Sequence, residues 1–239
     1  MPSSDWCRQC TPGWDRAMAR FLFIRHAEAD TGGTYCGRTD APLSPLGREQ
    51  AELAAGAFSH AYAPCSCSGN STAGRAAAGT AFLDQNLALV ASSPLQRCAG
   101  LARKLAAACQ VQLEIIAGLA EIDFGAWEGL RFDEASQKYP ATAEALLARS
   151  GEVSFPGGES LPAFAARVAA AWHSLRARHL NNQRVAVIAH AGVIAALILA
   201  VERKPLSSFW DIRIPHATLT VIDADVQTAQ TIAQGVPLF

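Results

Sequence analysis

The chain has 239 residues, half of them apolar, which is enough to bury a sizeable core in one α/β domain. Its formal charge is -1, and no basic run or acidic tail is present, which argues against nucleic acid or a membrane surface as partner. An odd set of cysteines (Cys7, Cys10, Cys36, Cys65, Cys67, Cys98 and Cys109) in a chain this size points to a reducing cytosol and not to a disulfide framework, and neither Cys7-x-x-Cys10 nor Cys65-x-Cys67 has the second spaced pair that a zinc site needs.

In chain order, residues 1–17 have no usable period and read as a disordered, dispensable extension, with no apolar core long enough for a secretory signal. The domain proper is expected over residues 18–239. Phe21-Leu-Phe-Ile24 is a compact apolar run suited to a buried strand. A loop rich in Gly, Asp and Pro comes next, from Thr31 to Leu46. A helix then opens at Ser44-Pro45, with Ser as cap and Pro in the first turn, and runs to about Phe58. Residues 60–80 are Ala, Gly, Ser and Cys without period, the composition of a flexible insertion.

Leu87 to Ala91 is the second strand, and from Pro94 a helix places Leu95, Cys98, Leu101, Ala102 and Leu105 on one face. Val111 to Ile116 is a third strand, Phe132 to Ala148 one or two helices of a lid-like region, and Leu161 to Leu180 a long amphipathic helix. The apolar stretch Val185 to Val201 is interrupted by His190 and falls short of the ~20 clean residues of a membrane span, so it reads as a fourth strand and a helix. Ala217 to Asp223 and Thr228 to Ala233 are expected to finish as edge strands. Strand and helix in alternation predict a three-layer α/β/α sandwich with a mainly parallel central sheet.

In such sheets ligands bind beyond the carboxyl ends of the strands. The first strand ends at Arg25-His26-Ala27-Glu28, the second at Ser92-Ser93-Pro94-Leu95-Gln96-Arg97, and the fourth at His190-Ala191-Gly192. Two arginines and two histidines would meet in one crevice, and their residue types suit a phosphate dianion. Arg offers a permanently charged planar fork, and a neutral imidazole is a competent nucleophile. His26 would attack phosphorus in line, with Arg25, Arg97 and His190 clamping the equatorial oxygens. Arg25, Arg97 and a protonated His190 would supply the charge a metal otherwise brings, so neither metal nor other cofactor is expected. The leaving oxygen needs a proton, and Glu121 is the candidate, among apolar neighbours that would raise its pKa, with Asp123 and Glu128 as competitors. His60, His173, His179 and His216 lack strand-end placement, although a turn before His216 could bring it to the crevice. Cys36 and Gly37 are expected to meet substrate through their backbone. Trp127 and Trp210 read first as core or lid packing, with stacking on a substrate ring as the alternative.

These four motifs, with Phe124-Gly125 after Glu121, resemble the ordered motifs of the histidine phosphatase superfamily over residues 20–223. The resemblance implies that His26 becomes phosphorylated, that Arg25, Arg97 and His190 bind phosphate, that Glu121 is the acid, and that the substrate is a small phosphorylated metabolite. Ala27 stands where the family commonly has Gly, a difference costing about 1 kcal/mol if a positive φ were required. Glu121 lacks the following Arg, His, Tyr and Gly typical of phosphoglycerate mutases, and residues 129–158 lack their adjacent Arg pair, which argues for hydrolysis over transfer. Tyr35 to Ser44, Glu121 to Gly129 and Phe155 to Ser160 are similar to alpha-ribazole phosphatases of cobalamin assembly. That similarity implies removal of a 5′-phosphate from alpha-ribazole phosphate, with Phe124 and Trp127 against the benzimidazole. A sugar-phosphate phosphatase, a mutase, and a noncatalytic phosphopeptide-binding module are the alternatives.

Overall fold

A computed structural model describes residues 18–62, 79, 82–83, 87–179 and 183–239. The expected extension at 1–17 and nearly all of the expected insertion lie outside them. Among the described residues, strands β1 (Ala19–Arg25), β2 (Leu87–Ser92), β3 (Gln112–Ile115), β4 (Arg184–Ala189), β5 (Thr218–Ala224) and β6 (Ala229–Pro237) form one sheet in the order β3-β2-β4-β1-β5-β6. β3, β2, β4 and β1 are mutually parallel neighbours, and β5 and β6 are added antiparallel.

The helices cover both faces, because the parallel strands are apolar on both sides. Leu22, Ile24, Val90, Ala186 and Ile188 pack with α1 (Pro45–Tyr62) and α2 (Gln96–Cys109) on one face. Phe21, Phe23, Val185 and Val187 pack on the other face with α5 (Leu161–Arg178), α6 (Ala191–Glu202) and the region of α3 (Phe132–Lys138) and α4 (Pro140–Leu147). Trp172 of α5 meets both Phe21 and Phe23 edge-on, at 4.6 and 5.7 Å between ring centroids, which ties that helix to the first strand. α1 begins as its sequence predicts: the Ser44 hydroxyl accepts the Gly47 N–H at 2.9 Å, and Pro45 occupies the first turn.

One expectation needs correction. β5 is not an edge strand but lies between β1 and β6 and is buried along its whole length. Its Thr-x-Thr alternation suggests a solvated face. The structure instead satisfies the hydroxyls internally: Thr218 donates to the Pro215 carbonyl at 2.8 Å, and Thr220 accepts the Gly235 N–H at 3.3 Å. Burial then costs little. Arg20 and Asp223, opposite one another on β1 and β5, add a paired bidentate contact of 2.8 Å at both oxygens.

Strand register positions the ligand edge of the sheet. Arg25 of β1 lies opposite Ala189 of β4, and Ile188 of β4 lies opposite Ser92 of β2, so the three strands end level. The His26 N–H continues the ladder to the Ala189 carbonyl at 2.9 Å, and the Ser93 N–H to that of Ile188 at 3.0 Å. His26, Ser93 and His190 are therefore delivered side by side by backbone pairing alone.

Candidate active site

A cavity of about 200 Å³ opens at these strand ends, lined by Arg25, His26, Ala29, Thr31, Thr34, Cys36, Arg97, Glu121 and His216. Two larger hollows, of about 400 and 510 Å³, are walled by helix surfaces and turns and contain no strand-end histidine. The strand-end cavity brings together Arg25, His26, Cys36, Arg97 and Glu121 of the groups that the sequence singled out, with His216.

The His26 ring is 6% exposed, and its Nδ1 lies 2.6 Å from its neighbour's carbonyl, that of Ala27. A carbonyl can only accept, so Nδ1 carries the proton, and Nε2 is left with a lone pair. Burial, with Arg97 and Arg25 nearby, holds the imidazole well below the ordinary histidine range, so it is neutral near pH 7. Ala27 itself is buried and is not among the positive-φ residues, so the strain considered for a β-carbon there does not arise.

Arg25, the last residue of β1, donates from Nη1 to the Ile214 carbonyl and from Nη2 to Nε2 of His216, each at 2.6 Å, while its Nε has no partner. A guanidinium has no lone pair to offer, so His216 Nε2 accepts and that ring is also neutral. Burial and the adjacent Arg25 push its pKa down to about 4. His216 was underrated by sequence reasoning; its one signal was the Ile214-Pro215-His216 turn immediately before a strand. The next residue, Ala217, makes the tight return at a strained φ of 53°, which lets its N–H reach the Arg25 and His26 carbonyls at 3.2 and 3.3 Å.

Arg97 lies in the first turn of α2 and is only 2% exposed. Its guanidinium donates to the carbonyls of Thr39 at 2.8 Å, Gly37 at 2.7 Å and Cys36 at 3.4 Å. The Cys36 and Gly37 carbonyls thus face Arg97, and the Gly37 N–H is taken by the Glu128 carboxylate at 3.0 and 3.1 Å; only Cys36 of the two lines the cavity.

His190 succeeds β4 and caps α6, fully buried, with its ring centroid 5.1 Å from that of His26. Its Nε2 lies 2.7 Å from Ser93 Oγ and 3.4 Å from Cys98 Sγ, so it stands behind the cavity wall. Burial and the neighbouring His26 and arginines hold its pKa well below the usual value, so it is neutral near pH 7, where the sequence predicts a protonated ring.

Glu121 projects from an irregular segment after β3. Its carboxylate accepts the Ile122 and Gly192 N–H groups, each at 3.1 Å, the second at the N-terminus of α6. Burial outweighs these bonds and both arginines, and its pKa is raised, as the apolar neighbours predicted. Gly192 is needed here, since a β-carbon would collide with the Glu121 carboxylate. The segment is held by Arg167 of α5, which donates to the carbonyls of Gly118 and Ala120, each at 2.9 Å, and of Glu121 at 3.3 Å, and grips Glu159 twice at 2.7 Å. No sequence signal marked Arg167.

Of the competitors to Glu121, Asp123 accepts the Gly125 N–H at 2.8 Å and Glu128 is turned to the loop at residues 37–39; neither lines the cavity. Trp127 is fully buried against Tyr35, Phe132 and Phe155, with centroids 4.9, 6.2 and 5.5 Å away, and Phe124 packs on Tyr35 and Phe155. Trp210 packs on Phe209 at 4.9 Å and donates to the Ser150 carbonyl. These rings do not reach the cavity either. Thr31 and Thr34, which the sequence did not single out, do.

Comparison with known proteins agrees with the geometry. The family described as "Histidine phosphatase superfamily (branch 1)" matches residues 21–76 and 68–235. Phosphoserine phosphatase 1 of Hydrogenobacter thermophilus is 30% identical over 86% of this chain and 86% of its own. Adenosylcobalamin/alpha-ribazole phosphatase of Escherichia coli is 26% identical over 88% of this chain and 92% of its own. The crystal structure of the alpha-ribazole phosphatase from Shigella flexneri shares the fold, with a TM-score of 0.70 at 24% identity over 90% of this chain and 96% of that one. Among the described residues, no helix is long and apolar enough to cross a membrane.

Proposed function

The chain belongs to the histidine phosphatase superfamily and is a phosphoric monoester hydrolase; on that premise we propose that it works through a phosphohistidine at His26. The observation that carries the reading is the His26 tautomer: with Nδ1–H committed to the Ala27 carbonyl, the lone pair of Nε2 is free beside two guanidinium groups. Nε2 attacks phosphorus and the phosphorus–oxygen bond to the alcohol breaks. Glu121, whose pKa burial raises, gives its proton to the leaving oxygen. Water then attacks phosphorus, Glu121 takes up its proton, the phosphorus–nitrogen bond breaks, and inorganic phosphate leaves. Arg25, whose Nε has no protein partner, and Arg97 hold the transferring group. His190, neutral behind the cavity wall and 5.1 Å from the His26 ring, backs the nucleophile and holds it in place.

The leaving group this cavity favours is compact and polar. Its walls include Thr31 and Thr34 and no aromatic ring other than imidazole, in about 200 Å³. Such walls suit a phosphorylated hydroxy or amino acid or a small sugar phosphate. Alpha-ribazole 5′-phosphate is the second reading, supported by the E. coli relative, and would need its benzimidazole outside the cavity. A reducing cytosol fits the free thiols of Cys36, Cys98 and Cys109.

The decisive experiment is a rapid quench during turnover of a labelled phosphomonoester. Label that survives alkali, is released by acid and disappears in His26→Ala supports the phosphohistidine; inversion at a chiral phosphate, with no trapped label, would overturn it. A panel of phosphoserine, 3-phosphoglycerate, fructose bisphosphate, alpha-ribazole phosphate and an aryl phosphate ranks the leaving groups, and the compact esters should have the highest kcat/KM.

A further inference from the structure

We infer that Glu128 is a positioning residue for the phosphate clamp, acting through the loop at residues 36–39 to hold the Arg97 guanidinium in place. The inference rests on reading the cavity as a phosphate site. The loop is gripped from two sides. On its amide side, the Glu128 carboxylate accepts the N–H groups of Gly37 at 3.0 Å, Arg38 at 2.8 Å and Thr39 at 3.1 Å, together with the Thr39 hydroxyl at 2.6 Å. It also accepts the Phe124 N–H at 3.2 Å, which anchors the carboxylate to its own segment. On its carbonyl side the same loop presents Cys36, Gly37 and Thr39 oxygens to Arg97.

The polarity of this arrangement is its physical content. The peptide groups joining 36 to 37 and 37 to 38 each have their N–H end on the anion and their C=O end on the cation, so each charge aligns dipoles that favour the other. These bonds hold the Glu128 carboxyl below the usual carboxylate range, so it is ionised at neutral pH. Without the carboxylate, the amides would turn to water, the carbonyls would lose their aim, and Arg97 would keep its charge but not its placement. Gly37 closes the assembly: a β-carbon there would collide with the Ile122 carbonyl and come within 2.7 Å of a Glu128 oxygen and 2.8 Å of the Phe124 ring.

This role differs from that of a proton donor, which sequence alone also left open for Glu128, and the two are separable. Inorganic phosphate binding, measured by calorimetry, should weaken about 10-fold in Glu128→Gln, which keeps the shape and loses the charge. In an Arg97→Lys background the same change should weaken it by less than about 2-fold, because the group that Glu128 positions is already gone. Turnover should fall equally for alkyl and aryl phosphates, since no proton transfer is touched. Thr39→Val removes one of the donors and should weaken phosphate binding about 2-fold in the same direction, a milder variant should Glu128→Gln fail to fold. Multiplying effects in the double variant, wild-type affinity in Glu128→Gln, or damage confined to alkyl phosphates would each overturn the positioning role. If the unaltered protein bound no phosphate, the reading of the cavity itself would fall, an outcome distinct from all of these.

Discussion

The two halves of the active site are built on different principles. His26, Ser93 and His190 succeed three parallel strands whose register ends level, so their mutual placement is a by-product of sheet pairing. Glu121 and Glu128 lie on an irregular stretch, residues 116–131, that has two short 3-10 turns and no sheet to align it. That stretch is fixed by charged side chains on backbone groups: Arg167 on its carbonyls, and Glu128 across to the loop at 37–39. One half is positioned by the fold, the other by a few ionic hydrogen bonds, and substitutions should expose the difference.

The largest effect is expected at Arg97, in the first turn of α2, where the two halves meet. Arg97→Lys keeps the charge but loses the fork that spans the loop carbonyls and the phosphate, and kcat/KM should fall ~10- to 1000-fold while the melting temperature changes little. A near-wild-type value would remove Arg97 from the clamp. On the irregular side, Glu121→Gln should lower turnover of alkyl phosphates about 100-fold and that of aryl phosphates less than about 10-fold, because aryl leaving groups barely need a proton. Gly192→Ala, whose added methyl displaces the same carboxylate, should reproduce that selectivity in weaker form. Equal damage to both substrate types would reassign the acid.

Arg167→Met sharpens the contrast. It leaves every strand-end group untouched but frees the Gly118, Ala120 and Glu121 carbonyls, so kcat should fall about 5- to 10-fold through misplacement of Glu121, with KM nearly constant. A raised KM with unchanged kcat would show that the stretch serves binding instead.

The smallest effect is on stability against pH. His26, His190 and His216 all have pKa values lowered by burial, so below about pH 6.5 the unfolded chain binds protons that the folded protein refuses. Stability should therefore be fully present above about pH 7 and decline as the pH falls. Glu121, with its raised pKa, opposes this trend at lower pH, as one carboxyl against three imidazoles. Melts recorded from pH 5 to 8 should show the decline, and His190→Gln should flatten it; an unchanged slope would mean that His190 is not buried in neutral form.

The same contrast explains how much the amino-acid sequence reveals. Arg25, His26, Arg97 and His190 are readable because apolar runs locate strands, and residues just past a strand in a parallel sheet lie at the ligand edge. Glu121 was found by its surroundings of Leu119, Phe124 and Trp127, which predict a raised pKa. Arg167 was invisible because, Glu159 apart, its partners are carbonyl oxygens, which every residue carries. Trp127 and Phe124 drew suspicion as stacking groups because a large ring near an acid reads the same whether it faces ligand or core; only the packing against Tyr35 and Phe155 decides. β5 was expected at an edge, and only its pairing with β6 on one side and β1 on the other places it inside the sheet.

The neutrality of the imidazoles sets what the cavity can accept. With His26, His190 and His216 uncharged, the fixed positive charges lining the cavity are Arg25 and Arg97. A phosphomonoester dianion matches that count and cancels it. A phosphodiester brings a single negative charge and leaves one guanidinium uncompensated among buried neighbours, besides lacking a third free oxygen for the clamp. The expected outcome is a preference for monoesters over diesters, with orthophosphate, which carries the charge of the substrate, competing with them.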